Sequence, residues 1–140
     1  MFSQTVEYAL RAVVHLAQHA PKPQTTAEIA ATTQVPAAYL SKVLQGLRGK
    51  EIVKLRRGIG GGVTLVGSPA DLTILDVVNA VDPIARITTC PLDLSSHGGR
   101  LCALHRRMDN ALMEVEGAFR ATTLAELLED PNQSVPLCEE

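Results

Sequence analysis

Tryptophan is absent from the 140 residues and aromatics amount to 3%, too few for the stacking platform on which single-stranded nucleic acid is held. No apolar run reaches the roughly 18 residues that a membrane span needs. The best, Ile74 to Val81, is short and interrupted by Asp76 and Asn79. No basic stretch leads into an apolar one at the start, so a secretory signal is not expected. Cysteines number three, an odd count that argues against a disulfide framework and for a reducing cytoplasm. No nucleophile elbow, P-loop or paired carboxylates in a plausible cleft are found, so an enzyme is not expected.

What is present suits one small globular unit with an appended element: 46% apolar and 20% charged residues. The net charge of −2 hides an asymmetry. Up to Val66, eight basic residues face three acidic ones, and beyond it five face twelve. A basic front and an acidic rear suggest a polyanion-binding module joined to something with another task.

Val6, Ala9, Leu10, Val13, Leu16 and Ala17 recur at helical steps, so residues 3–19 read as an amphipathic helix ended by Pro21 and Pro23. Thr25 stands three residues before Glu28, the capping-box spacing, and opens a short helix to about Thr32. After a turn from Thr33 to Pro36, a third helix spans about Ala37 to Gly49, with Leu40, Val43, Leu44 and Leu47 inward. This is the helix-turn-helix pattern, with Tyr39, Ser41, Lys42 and Gln45 outward.

Two β-prone runs follow, Ile52–Leu55 and Val63–Val66, separated by Arg56-Arg57-Gly58-Ile59-Gly60-Gly61-Gly62. A basic, glycine-rich hairpin tip after a helix-turn-helix is a wing: the glycines allow close approach to a backbone or narrow groove, and the arginines supply charge. A nucleotide loop is excluded, because Val63 takes the last glycine position of the fingerprint and a strand follows instead of a helix. The candidate DNA contacts are Thr26, Ala38, Tyr39, Ser41, Lys42 and Gln45, with Arg56, Arg57, Gly58 and Gly60 of the wing.

Ser68-Pro69 carries a cap and a proline at the first helical position, predicting a helix from there to about Val81, stopped by Asp82-Pro83. Residues 84–99 lack any period and read as an irregular loop. Leu101, Leu104, Met108, Ala111, Val115 and Ala118 then step by three and four along one long helix of about residues 100–120. Such a stripe needs a partner or its own domain to cover it. Thr123 caps a last short helix, and residues 130–140 read as a frayed tail. The fold class is therefore mostly α with a small β-hairpin, a winged helix-turn-helix domain plus a long dimerisation helix. Residues 1–67 bind DNA, 68–99 form a linker helix and sensor loop, and 100–140 form the dimerisation helix and tail.

These motifs resemble the winged-helix regulators typified by IscR and NsrR, the Rrf-two superfamily, over nearly the whole chain. Glu7-Tyr8-Ala9-Leu10-Arg11 is similar to their first-helix signature, Val35-Pro36 to Leu47 to their recognition helix, residues 56–62 to their wing, and Ser68 to Ile74 to their linker start. The resemblance implies a bacterial homodimer that represses transcription from a pseudo-palindromic operator in double-stranded DNA, with the wing in the minor groove and no membrane partner. It also implies an iron–sulfur cluster, a [2Fe–2S] centre, before the dimer helix. Cys90 and Cys102 match the outer cysteine positions of that motif and His105 its histidine, while Ser96 stands at the middle cysteine position. His97, or the partner subunit's Glu7, would complete the shell.

The residues alone leave alternatives. Cys102 and His105 at i, i+3 share a helix face and suit zinc or a [2Fe–2S] centre equally. Cys90 also reads as a small buried hydrophobe, His105 as part of a solvated face beside Arg106 and Arg107, and Glu7 as the helix partner of Arg11. No role is assigned to His15, His19 or Cys138. A metal-free regulator with a Cys90/Cys102 thiol switch, a small ligand or a protein partner is the alternative function.

Overall fold

The computed structural model describes residues 1–95 and 99–137. Helix α1 runs Gln4–His19, with the Ser3 hydroxyl accepting from the Val6 amide. Its residues 12–16 are all buried, so it is not a one-sided amphipathic helix. Ala9 and Ala12 are fully enclosed and, being small, let neighbouring helices approach from more than one side. Helix α2 (Thr26–Thr33) opens with the expected capping box between Thr25 and Glu28 and ends at Gln34, whose φ is 57°. Helix α3 (Ala37–Gly49) follows at once and buries Leu40, Val43 and Leu47. Leu44 is only partly covered.

Strands β1 (Val53–Arg56) and β2 (Gly62–Leu65) form one antiparallel hairpin, each displaced by one residue from the sequence reading. Val53 pairs with Leu65, both buried, and Arg56 pairs with Gly62. Arg56 thus belongs to the strand and not to the tip. The hairpin is fastened through β2 to the segment between α1 and α2: Gln24 and Val63 exchange backbone bonds of 3.0 and 2.7 Å. Gly62 is needed there, since a Cβ would lie 2.7 Å from the Gln24 carbonyl oxygen. The Gln24 side-chain carbonyl lies 3.0 Å from Nε2 of His15, which is buried on α1. Burial holds the His15 pKa below its ordinary value, against the opposing hydrogen bond from Gln24.

The next helix corrects the sequence reading. Ser68 only closes a turn, through bonds to the Ala70 and Asp71 amides. Helix α4 is Ile74–Val81, and its cap is Thr73, in a capping box with Asp76. The cause is non-local. Leu72 and Thr73 are held extended because the Leu72 carbonyl accepts from Leu124 and the Thr122 carbonyl accepts from Ile74. Helix α5 is Ala103–Arg120, with Cys102 as its N-cap residue. Helix α6 (Leu124–Glu129) is capped by Thr123, as expected. The tail is not frayed up to residue 137: the Pro136 carbonyl accepts from the Gln18 amide, and Leu137 packs against the core. Val77 of α4 and Leu124 of α6 share one hydrophobic core with α1, α3 and the hairpin. None of the helices described is long and apolar enough to cross a membrane.

The cap assignment predicts unequal mutational costs. Thr73→Ala should cost about 1 kcal/mol, and Ser68→Ala no more than about 0.5 kcal/mol, compared as urea midpoints. A larger loss at Ser68 would contradict the position of the α4 start.

Candidate nucleic-acid interface

The inward face of α3 fixes the outward one. With Leu40, Val43 and Leu47 buried, Ala38, Tyr39, Ser41, Lys42 and Gln45 are exposed together. Tyr39 lies over α1, its ring 5.9 Å from that of the buried Tyr8. Tyr8 is in turn flanked by the Arg11 guanidinium at 5.6 Å. Arg11 bonds Glu7 at 3.0 Å and the Thr33 carbonyl at 3.3 Å, which ties α1 to the turn of the helix-turn-helix. Glu7 is therefore an i, i+4 partner within its own helix.

Thr26, Ser41, Gln45, Arg48, Lys54 and Leu55 line one open groove of about 230 Å³ between α2, α3 and the hairpin. Three of the expected contact residues, Thr26, Ser41 and Gln45, are thus brought together from two helices. Arg48 and Lys54 were not among the expected contacts. The signal for Arg48 was available, since Ser41, Gln45 and Arg48 follow at i, i+4, i+7 on one face. The signal for Lys54 was its place on a strand where only Val53 turns inward.

Beyond the groove, Arg56, Arg57, Gly58 and Gly60 are all exposed on the wing, whose turn is closed by the Gly61 amide bonding the Gly58 carbonyl. Gly58 and Gly60 hold φ of 95° and 76°, conformations that bulkier residues resist. Among the described residues, ion pairs engage Arg11 and Arg86 and leave Lys42, Arg48, Lys54, Arg56 and Arg57 without an acidic partner. Arg48 and Lys54 in the groove, beside the exposed face of α3, suit a phosphate backbone with base edges between.

The second cluster lies at the start of α5. Cys102 Sγ is 3.2 Å from Nδ1 of His105, as the i, i+3 spacing predicts. Cys90 is half-buried in the preceding loop, and neither thiol forms a disulfide. Among the described residues no three His, Cys, Asp or Glu side chains gather as a metal site, so Cys90 is not assembled with Cys102 and His105. Ser96, His97 and Cys138 lie outside the described residues. Two donors in contact fall short of the four protein ligands of a [2Fe–2S] centre.

One element of this region escaped the sequence reading. Arg86 forks onto both carboxylate oxygens of Asp109 at 2.7 Å and reaches Glu116 at 2.8 Å, while the Ile87 amide bonds Asp109 at 2.9 Å. The Arg86 bond and then the Ile87 amide pull the Asp109 pKa down to about 2. The loop is thereby clamped to α5 a few residues before Cys90. Asp109 and Glu116 share a helix face, but nothing local couples them to Arg86.

A family model described as "Rrf2: Iron-dependent Transcriptional regulator" matches residues 2–130. The HTH-type transcriptional regulator IscR of Sodalis glossinidius is 30% identical over 122 residues, 86% of this chain and 74% of that protein. The solved structure of T. potens IscR superposes with a TM-score of 0.78 at 21% identity, covering 100% of this chain and 93% of that one. The structure of CymR, the global cysteine regulator of B. subtilis, gives 0.74 at 24% identity over 91% and 95%. At such identities the two structures speak for the fold alone, a helical chain with one two-stranded wing.

Proposed function

The chain belongs to the Rrf2 family of transcriptional regulators, and we propose that it is a homodimeric repressor that binds a pseudo-palindromic operator in double-stranded DNA. Its relatives are regulators, and it is not an enzyme. The observation that carries the proposal is the groove in which Thr26 of α2, Ser41, Gln45 and Arg48 of the exposed α3 face and Lys54 of the hairpin come together. In this reading Lys42, Arg56 and Arg57 hold phosphates, and Tyr39, Ser41 and Gln45 meet base edges in the major groove. The place of action is the cytoplasm.

The dimer is supported by α5, none of whose residues is fully buried. One face, with Asp109, Leu112, Glu116 and Phe119, turns toward its own chain. Leu104, Met108, Ala111 and Ala118 of the heptad stripe stay exposed, Leu104 by 63% and Met108 by 48%. A second copy covers that stripe by two-fold symmetry, and a two-fold protein calls for a two-fold operator.

The sensor in this proposal is the set Cys90, Cys102 and His105. Bound there as a [2Fe–2S] centre, iron and sulfide would supply a one-electron redox response. The described residues do not assemble its shell, and neither the DNA contacts nor the dimer is derived through it. The Cys102–His105 contact favours a second reading equally, a thiol switch of Cys90 and Cys102 whose oxidation joins the two sulfurs and releases two protons and two electrons to a cellular disulfide.

Four outcomes are expected. With two protomers neutralising about 6–10 phosphates, operator affinity should fall by roughly 10³–10⁵ between about 50 and 200 mM salt. Arg56→Ala/Arg57→Ala should weaken binding and flatten that slope; an unchanged slope would remove the wing from the interface. Leu104→Asp/Met108→Asp should sediment as a monomer without specific binding, and a still-dimeric double variant would mean the interface lies elsewhere. Protein reconstituted with iron and sulfide under nitrogen should be coloured and bleach in Cys102→Ala. A colourless protein that loses two hydrogens on oxidation would establish the thiol switch instead.

A further inference from the structure

Ile59 stands alone at the tip of the wing. Its relative exposure is 109%, the highest of any large apolar side chain among the described residues. Single exposed hydrophobic residues are common on protein surfaces, so exposure by itself decides nothing. The surroundings do. Ile59 is flanked by Gly58 and Gly60, and a Cβ on either would meet nothing within 4 Å. The tip is therefore one apolar side chain wide, carried on an arm that bears the unpaired cations Arg56 and Arg57.

We propose that Ile59 reads A·T against G·C base pairs in the minor groove at the outer edge of each half-site. The inference rests on the DNA-binding reading above and adds a specificity determinant to it. A helix with its side chains is about 10–12 Å across and fits only the major groove, about 12 Å wide. With α3 in that groove, the hairpin beside it faces the adjoining minor groove, about 6 Å wide. A tip with no side chains on either side of Ile59 is narrow enough to enter.

The chemistry then selects the base pair. The minor-groove edge of A·T carries acceptors only, whereas G·C adds the guanine amino group, which projects from the floor. Isoleucine has neither donor nor acceptor. Against A·T it packs on the sugar walls and displaces water from an apolar surface. Against G·C it meets the amino group and covers a donor that it cannot satisfy. The discrimination works by exclusion and is independent of phosphate contacts.

The test uses the intact protein and an operator selected from random duplexes by the wild type. At the positions facing the wing, A·T pairs are replaced by G·C or by inosine·cytosine, which lacks the amino group but keeps the major-groove face of G·C. The wild type should lose about tenfold in affinity with G·C and regain most of it with inosine·cytosine. Ile59→Ala should reduce the G·C penalty to within about twofold at an unchanged salt slope, and Ile59→Val should retain it. A full penalty in Ile59→Ala, or inosine·cytosine binding as weakly as G·C, would overturn the role of Ile59 while leaving the wing on DNA. Absence of salt-dependent operator binding by the wild type would instead remove the DNA-binding reading and this inference with it.

Discussion

Most of the described elements are hung on α1. Five consecutive residues, Ala12 to Leu16, are buried on it, which requires cover on more than one side. That cover comes from α2, α3 and β2 and from α4 and α6. The helix-turn-helix and the C-terminal elements are therefore two sets of walls around one post. The hydrophobic cost of exposing either side couples them, since burial scales with the apolar area removed from water. The position of α3 relative to α4 is set both by their shared packing on α1 and by direct contact, Gly46 of α3 lying against Ala80 and Val81 of α4.

The same helix sets the wing. A two-stranded hairpin is marginal in isolation, and here β2 is pinned near the wing by the paired backbone bonds of Gln24 and Val63. Gln24 is buried and faces His15 of α1, whose burial disfavours its charged form. A fixed distance between the wing and α3 is what a protein needs to meet adjoining grooves at once. Arg11 does the corresponding work at the other end, linking α1 to the Thr33 carbonyl in the turn before α3.

Local signals were legible in the sequence and long-range ones were not. The capping box of Thr25 and Glu28, the boundaries of α3, the Thr123 cap and the exposed α5 stripe all follow from spacing within a turn or two. The start of α4 did not. Ser68-Pro69 satisfies the local rule for a helix start, yet backbone bonds from residues 122 and 124 hold residues 72 and 73 extended and move the start to Ile74. The strand shift has a similar origin, because the pairing of Val53 with Leu65 is decided by what the core accepts. His15, to which the sequence assigned no role, is buried against Gln24, a contact that spacing along α1 does not announce. At the second cluster, i, i+3 spacing sufficed for Cys102 and His105, but it carries no information about how the loop bearing Cys90 closes.

The arrangement around α5 limits how any signal in that loop reaches DNA. Arg86 clamps the loop to Asp109 and Glu116 on the face of α5 turned toward its own chain. The exposed stripe lies roughly a quarter-turn around the same helix, and Cys102 is its N-cap residue. In the proposed regulator a change at Cys102 or Cys90 would therefore act on a helix end whose flank is held by a bidentate ion pair, and would be expressed as a tilt or shift of α5 against α4. Since α4 packs on both α1 and α3, such a shift would change the separation of the two recognition helices in the proposed dimer. Half-site spacing tolerates little of this. In the proposed regulator the clamp at Arg86 is what turns a local event into a rigid-body displacement, where an unclamped loop would absorb it.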